Sequence, residues 1–192
     1  MALTEFDPHA EYDPTGVLDS QPEDDRSRAL FYAPMLAAYR DAGIEPPPLP
    51  RPTFAMVARR RFNEDLLTTC RTVWPNRSLA GSLFEIGSGL YPRFASTMIG
   101  MAIFAVAGRD YVKMATLAPR AYRLSSDRGR VELIEAVPAS VHARFEDLWD
   151  VPPFAAGVCS GAVRAAGAHA DSLMLDIQRP GSFELRFRFG SR

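Results

Sequence analysis

Residues 130–146 read RVELIEAVPASVHARFE, and this stretch decides the fold because strand periodicity appears on both sides of one turn. Its second half alternates apolar with polar side chains: Val141, Ala143 and Phe145 interleave with His142, Arg144 and Glu146. A period of two places the apolar side chains on one face of a strand and the polar ones on the other. With Pro138 and Ala139 as the turn, the stretch predicts an antiparallel hairpin that has one core face and one wet face.

The residues after this hairpin predict a helix and then a second hairpin. Pro152 and Pro153 suit the first turn of a helix over 154–166, and Gly167 suits its end. Two more alternating stretches are joined by Arg-Pro-Gly at 179–181. Their apolar residues are Leu173, Leu175 and Ile177, then Phe183, Leu185, Phe187 and Phe189. Residues 120–190 are therefore predicted to form a ββαββ unit, a four-stranded antiparallel sheet crossed by one helix.

The N-terminal half has helical periodicity instead. Residues 1–26 are acidic and proline-containing, which is typical of a flexible arm, with at most a short strand at 17–18. The predicted class is α+β: one domain over 27–192, with a helical half at 27–119 before the sheet. The predicted helices cover 28–42, 54–74, 78–90, 93–106 and 110–117, and Pro119 is expected to end the last one.

Composition excludes several classes of function. The chain has 192 residues, 47% of them hydrophobic, and a formal net charge of -1, so it has no basic field for nucleic acid. Two cysteines make a disulfide framework improbable and fit a reducing compartment. The N-terminus lacks a signal pattern, and the longest apolar run, 98–108, is shorter than the ~20 residues of a spanning helix. We expect a cytoplasmic protein without a membrane span.

Catalytic and metal-binding motifs are missing from the sequence. The three histidines are not within motif spacing of one another, there is no CxxC pair, and no Gly-x-Ser-x-Gly occurs. An enzyme is therefore the least favoured hypothesis. It would require Glu146, Asp147 or His142 to converge on a pocket with shifted pKa values.

One set of aromatic and methionine side chains could line an adaptable apolar pocket, because methionine is flexible and tyrosine is amphipathic. The same residues are equally typical of an ordinary helical core, so both interpretations stay open. The candidate ligand-binding residues are Phe84, Tyr91, Phe94, Met98, Met101, Met114 and Tyr122.

Three stretches carry a family resemblance: FASTMIG at 94–100, YRLS at 122–125, and the helix that contains Gly157 and Gly161. Over about 54–189 the chain resembles a paralogous family of unknown function that is expanded in myxobacteria. More distantly, the C-terminal unit is similar in fold to heme-nitric-oxide/oxygen-binding domains and to the 4-vinyl-reductase-type and TRAPP-type small-molecule-binding domains.

These resemblances imply a site for a small molecule between the helices and the sheet, without heme. The heme domains place a proximal histidine on the helix before the sheet, and 110–117 contains none. They also carry Tyr-x-Ser-x-Arg on the strand before the last helix, where this chain reads FEDLW at 145–149. No cofactor is therefore expected. The TRAPP-type resemblance implies an apolar tunnel with a cysteine as attachment point, for which Cys70 is available.

The favoured hypothesis is a non-enzymatic small-molecule-binding or sensory module. The alternative is a protein-interaction or scaffold module that acts as a homodimer or adaptor. Its basis is the proline-rich connector at 45–52, the acidic arm and a terminal strand at 183–189 that is expected at a sheet edge.

Overall fold

The computed structural model describes residues 3–95, 101, 105, 107, 108 and 110–190. It confirms the α+β class, with helices before an antiparallel sheet. The elements are β1 Thr4–Glu5, α1 Thr15–Ser20, β2 Arg26–Arg28, a 3-10 turn Ala29–Tyr32, α2 Ala33–Asp41, β3 Met56–Ala58, α3 Arg59–Val73, α4 Leu79–Ser88, α5 Leu90–Ala95, α6 Tyr111–Ser125, β4 Arg130–Val137, β5 Ser140–Glu146, α7 Pro152–Ala165, β6 Ser172–Arg179 and β7 Ser182–Arg188.

The main sheet differs from the predicted one in strand number. Within the described residues it has five strands in the order β1-β6-β7-β5-β4, all antiparallel. The four-strand description was wrong because the arm adds Thr4–Glu5 to the edge of β6. A pairing of two residues is too short to produce a periodic signal.

The expectation of an edge position for 183–189 was also wrong. Strand β7 pairs with β5 on one side and with β6 on the other, so it lies inside the sheet. Phe183, Leu185 and Phe187 are each at most 4% exposed. Such burial fits a central strand, whose inward face is covered along its whole length.

The predicted acidic arm contacts the rest of the chain at several points. Phe6 stacks on Phe84 with ring centroids 5.2 Å apart, and Val17 is 5% exposed. The possible strand at 17–18 is wrong, because these residues belong to α1. The flexibility of the arm and the domain limits at 26 and 27 stay predictions, because static contacts do not measure motion.

Three helix boundaries differ from the predicted ones. Helix α2 begins at Ala33 instead of residue 28, because residues 29–32 form a 3-10 turn. Helix α3 begins at Arg59 instead of Phe54, because Met56–Ala58 pairs with Arg26–Arg28 in a two-stranded sheet. Helix α6 continues past Pro119 to Ser125. The proline removes one backbone hydrogen bond, but the apolar residues on both sides of it keep packing against the sheet.

The remaining helices agree with the sequence pattern or lie outside the described residues. Ser78 caps α4 by accepting from the Gly81 amide, and Asp110 caps α6 by accepting from the Val112 and Lys113 amides. Most of the helix predicted over 93–106 lies outside the described residues. Among the helices that the structure describes, none is long and apolar enough to cross a bilayer.

Glycines bring α4 and α7 into backbone contact. A Cβ at Gly161 would lie 2.5 Å from the Ser88 carbonyl oxygen, and one at Gly157 would overlap the Phe84 carbonyl oxygen. These two glycines therefore allow the close contact between α7 and α4. The contact fixes α7 against the helical half while other residues of α7 pack on the sheet.

Candidate functional site: a cavity between helices and sheet

A cavity of about 210 Å³ lies between α6, α7 and the inward face of the sheet. Most of its wall is apolar. Helix α6 contributes Tyr111, Met114, Ala115, Ala118, Ala121 and Tyr122; helix α7 contributes Phe154, Ala155, Val158, Cys159, Ala162 and Val163; and the central strands contribute Val141, Ala143, Phe145, Leu185 and Phe187.

Short side chains explain why this space is not filled. Ala115, Ala118 and Ala121 recur at helical spacing on the α6 face that lines the cavity, and Ala155 and Ala162 do so on α7. Protein interiors are close-packed, with few voids larger than a water molecule. A run of alanines on two facing helices therefore keeps a gap that leucines would close.

The cavity opens to solvent at a mouth formed by Arg28, Phe54 and Leu124. Phe54 is 47% exposed and Leu124 is 52% exposed, and both line the cavity. Arg28 spans the mouth: its Nε donates to the Leu124 carbonyl at 3.0 Å and its Nη1 donates to the Phe54 carbonyl. Two exposed apolar side chains at an opening suit the entry of an apolar molecule.

A buried ionic cluster stands behind one part of the wall and consists of Asp25, Arg59, Ser126 and Asp150. Arg59 is 0% exposed although Arg60 and Arg61 beside it are solvent-exposed. Its Nη1 donates to Asp150 Oδ1, its Nη2 donates to Ser126 Oγ at 2.6 Å, and its Nε lies 3.5 Å from Asp25 Oδ2. Asp150 is the member that also lines the cavity.

This cluster contains one cation and two carboxylates. Burial raises the pKa of Asp25 to about 6, and the negative charges of Asp150 and Asp127 add to the rise while Arg59 opposes it. Desolvation lowers the pKa of Arg59, but the charges of Asp150, Tyr122 and Asp25 and the hydrogen bond to Asp150 outweigh it, so the pKa is raised. The cluster is therefore held together by charge pairing, and one of its carboxylates binds a proton more readily than usual.

Three of the predicted ligand-binding residues line the cavity: Tyr91, Met114 and Tyr122. Burial raises the pKa of Tyr91 to about 12, so its hydroxyl is neutral near pH 7. The Tyr122 hydroxyl donates to the Arg128 carbonyl oxygen at 3.0 Å, and burial raises its pKa. Met114 is 6% exposed.

The other four predicted residues are not brought to the cavity by what the structure describes. Phe84 stacks on Phe6 instead, and Met101 is 55% exposed. The side chain of Phe94 and all of Met98 lie outside the described residues. A ligand-binding role stays a prediction for all seven residues.

Sequence reasoning missed Asp150 and Cys159. The partner of Asp150 is Arg59, 91 residues earlier, and such a distant pairing leaves no local sequence pattern. Cys159 lines the cavity, and burial raises its pKa to about 12, so the thiol is protonated. Cys70, the cysteine considered for a ligand, is 1% exposed in the helical core and does not line the described cavity.

The residues required by the enzyme hypothesis do not converge on the cavity. His142 lies on the opposite face of the sheet, where its Nε2 is 2.7 Å from Glu184 Oε2. Glu146 pairs with Arg130, and Asp147 is solvent-exposed. Among the described residues, no three His, Cys, Asp or Glu side chains are grouped closely enough to hold a metal ion.

No histidine lines the cavity. The chain has three histidines, and all of them are described: His142 on the far face of the sheet, and His9 and His169 at exposed positions. The helix that faces the cavity, α6, presents tyrosine, methionine and alanine there.

Comparison with solved structures shows a fold shared with H-NOX proteins. The unliganded Fe(II) H-NOX protein from K. algicida matches 86% of this chain and 97% of its own, with a TM-score of 0.65 and 10% identity. The H-NOX protein from S. oneidensis in the Fe(II)NO state matches 85% and 99%, with a TM-score of 0.59 and 10% identity. An oxygen-binding H-NOX domain related to soluble guanylate cyclases matches 84% and 92%, with a TM-score of 0.56 and 10% identity.

At such low identities the likeness establishes the fold alone. No curated protein matches the chain. A family model matches residues 29–188, which is most of the chain, and confirms the resemblance to a family of unknown function; the myxobacterial origin stays a prediction. The chain belongs to the family described as "Protein of unknown function (DUF2378)".

Proposed function

We propose that this protein is a non-enzymatic small-molecule-binding or sensory module that holds an apolar ligand in the cavity between α6, α7 and the sheet. The observation that carries the proposal is the cavity itself, with its apolar wall and its opening at Phe54 and Leu124. A pre-formed apolar cavity with few polar groups is the usual form of a small-molecule site.

The size of the cavity limits the ligand. An engineered apolar cavity of about 150 Å³ takes up benzene. In proportion, about 210 Å³ accommodates ~8 non-hydrogen atoms, and it is smaller than the roughly 300 Å³ at which drug-sized sites begin. A small aromatic molecule or a short acyl chain fits this volume.

The residues of the cavity do not fit a heme. A heme iron needs an axial donor such as a histidine, a thiolate or a tyrosinate. No histidine lines the wall, and burial raises the pKa of Cys159, Tyr91 and Tyr122, so each keeps its proton near pH 7. The hydroxyl of the third tyrosine, Tyr111, donates to the Pro138 carbonyl oxygen. The guanidinium of Arg28 at the mouth already donates to two backbone carbonyls. We therefore propose a ligand other than heme at this place in the fold.

The heme part of the proposal is tested by absorption spectroscopy. Purified protein incubated with hemin and then desalted is expected to have no Soret band. A stoichiometric Soret band that survives desalting, with an iron ligand assigned to a cavity residue, would overturn it.

The binding part is tested with anisole, a small aromatic ether. Calorimetric titration should detect saturable binding by the wild type and none by Ala118→Phe, because a phenyl ring at this position occupies the cavity. Arg120→Phe places the same ring on the exposed side of the same helix and is expected to bind like the wild type. If neither anisole nor its isomer p-cresol binds to the wild-type protein saturably, the proposal is refuted.

The homodimer or adaptor alternative has a separate basis, the outer strand β4. Ile134 is 43% exposed and Val137 is 42% exposed on this strand, and in the described chain only β5 pairs with it. Exposed apolar residues on an edge strand favour pairing with another strand. A constant monomer mass in light scattering up to high concentration would count against the homodimer.

A further inference from the structure

We infer that Asp150 is the polar anchor of the cavity, and that the ligand is an apolar molecule which carries one neutral hydrogen-bond donor, an O–H or N–H group. The inference rests on the proposed function, because it names the chemical class of ligand for the same cavity.

The anchor is a carboxylate with one oxygen engaged and one available. Asp150 is 7% exposed, and its Oδ1 accepts from Arg59 Nη1. Among the described residues, no donor is hydrogen-bonded to its Oδ2, and the residue lines the cavity. This oxygen is not one of the fully buried atoms without a partner, so it keeps accessible surface where a donor can reach it. A donor group on a ligand in the cavity would give this oxygen its hydrogen bond.

The surrounding charges decide what kind of donor fits. Arg59 shares its charge between Asp150 and Asp25, and the Arg28 guanidinium at the mouth is a second positive charge, so a ligand needs no positive charge of its own. The guanidinium of Arg28 at the mouth disfavours a cationic ligand, and Asp150 itself disfavours an anionic one. A neutral donor forms a charge-assisted hydrogen bond with Oδ2 without adding a charge to the apolar cavity.

The rest of the wall gives the ligand its apolar body. Around Asp150 the cavity presents Leu148, Phe154, Phe145 and Leu185, whose side chains offer no hydrogen bond. The combination of one acceptor with an apolar wall selects for molecules such as phenols or short-chain alcohols. The same combination makes ethers of the same size bind more weakly, because they leave Oδ2 without a donor.

The test compares p-cresol with anisole, which are isomers of the same composition and similar size. Only p-cresol has an O–H donor. Calorimetric titration of the wild-type protein should give a dissociation constant about tenfold lower for p-cresol than for anisole, which is the least expected from one charge-assisted hydrogen bond. Benzoate is expected to bind more weakly than either.

Two substitutions locate the effect. Asp150→Asn keeps an acceptor for Arg59 and leaves Arg59 balanced by Asp25 alone, so the fold is expected to survive. Its amide NH₂ replaces the acceptor in the cavity, and the preference for p-cresol should fall to about twofold or less. Asp150→Glu retains a carboxylate and should retain a preference. In the wild type, the side-chain ¹³C resonance of Asp150 should move with p-cresol and stay with anisole, a measurement that needs no substitution.

The outcomes separate the two proposals. If anisole and p-cresol bind equally well, or if Asp150→Asn keeps the tenfold preference, the anchor is refuted and the apolar cavity stands. If benzoate binds best, its carboxylate pairs with Arg28, and the anchor is refuted. If none of the three probes binds, the proposed function itself fails.

Discussion

Arg59 should be far more important for stability than the two arginines that follow it. In the sequence, residues 59–61 are three equivalent arginines, but only Arg59 is fully buried. From the start of α3, its guanidinium contacts Asp25 just before β2, Ser126 just after α6 and Asp150 in the loop before α7. The substitution Arg59→Gln removes the cation and leaves two buried carboxylates beside each other.

The size of the loss in stability depends on the carboxylates that Arg59→Gln leaves unpaired. Removing one partner from a buried ion pair costs about 3–5 kcal/mol, because the remaining charge is desolvated and unpaired. Arg60 is the control: its side chain is 52% exposed and pairs with Glu64, itself 54% exposed, at 3.4 Å. Such an exposed pair contributes less than about 0.5 kcal/mol. Arg59→Gln should therefore lower the free energy of unfolding by about 3 kcal/mol more than Arg60→Gln.

Urea denaturation followed by circular dichroism measures the difference. Two further results are expected if unpaired buried carboxylates cause the loss of stability. The deficit of Arg59→Gln should shrink near pH 4, where Asp25 becomes protonated, and adding Asp25→Asn to Arg59→Gln should recover part of the lost stability. If Arg59→Gln and Arg60→Gln agree within 1 kcal/mol at pH 7, charge pairing in this cluster is not what holds these segments together.

Three other predictions concern the helix contact, the titration of the cluster and access to the cavity. Gly157→Ala should lower the free energy of unfolding by about 2 kcal/mol, since the new methyl group overlaps the Phe84 carbonyl oxygen. Gly16→Ala is the control: its new methyl group would contact only Pro180, at 3.5 Å, so the substitution should be neutral or slightly stabilising. Equal effects of the two substitutions would disprove the close contact at Gly157. The raised pKa of Asp25 means that the folded state holds this proton more tightly than the unfolded state, so the stability from this group is complete below about pH 4 and is lost as pH rises through about 6. Asp25→Asn should therefore gain about 2 kcal/mol relative to wild type between pH 4 and pH 7.5 in urea titrations, and a constant difference would contradict the shift. In a Cys70→Ser background, anisole should slow the alkylation of Cys159 by a small maleimide at pH 8, measured by intact-protein mass spectrometry; an unchanged rate would mean that the ligand does not occupy the space at Cys159.

The fold class could be predicted from the sequence because it depends on local periodicity. The alternation in β5 and the two prolines before α7 correctly predicted a hairpin and a helix, since a period of two or the fixed φ of proline acts within a few residues. Strand β1 could not be predicted in this way. Its two residues pair with β6, about 170 residues later, and such a pairing leaves no local pattern.

The candidate site was predicted in part for the same reason. Tyr91, Met114 and Tyr122 have the composition of a pocket wall, and they line the cavity. The composition does not distinguish a wall from a filled core, because the same side chains serve both. What opens the cavity is the register of alanines on α6 and α7 against the sheet, which depends on how the two helices are placed.

By itself, the sequence determined which segments become helices and strands, and it determined the absence of catalytic and metal-binding motifs. Only the tertiary structure decided which of three adjacent arginines is buried, which carboxylates meet it, and that Asp150 is among the residues that line the cavity. The physical reason is range: periodicity and turn chemistry act between near neighbours in the chain, whereas burial and charge pairing depend on groups that are far apart in sequence and meet only after the helices have packed on the sheet.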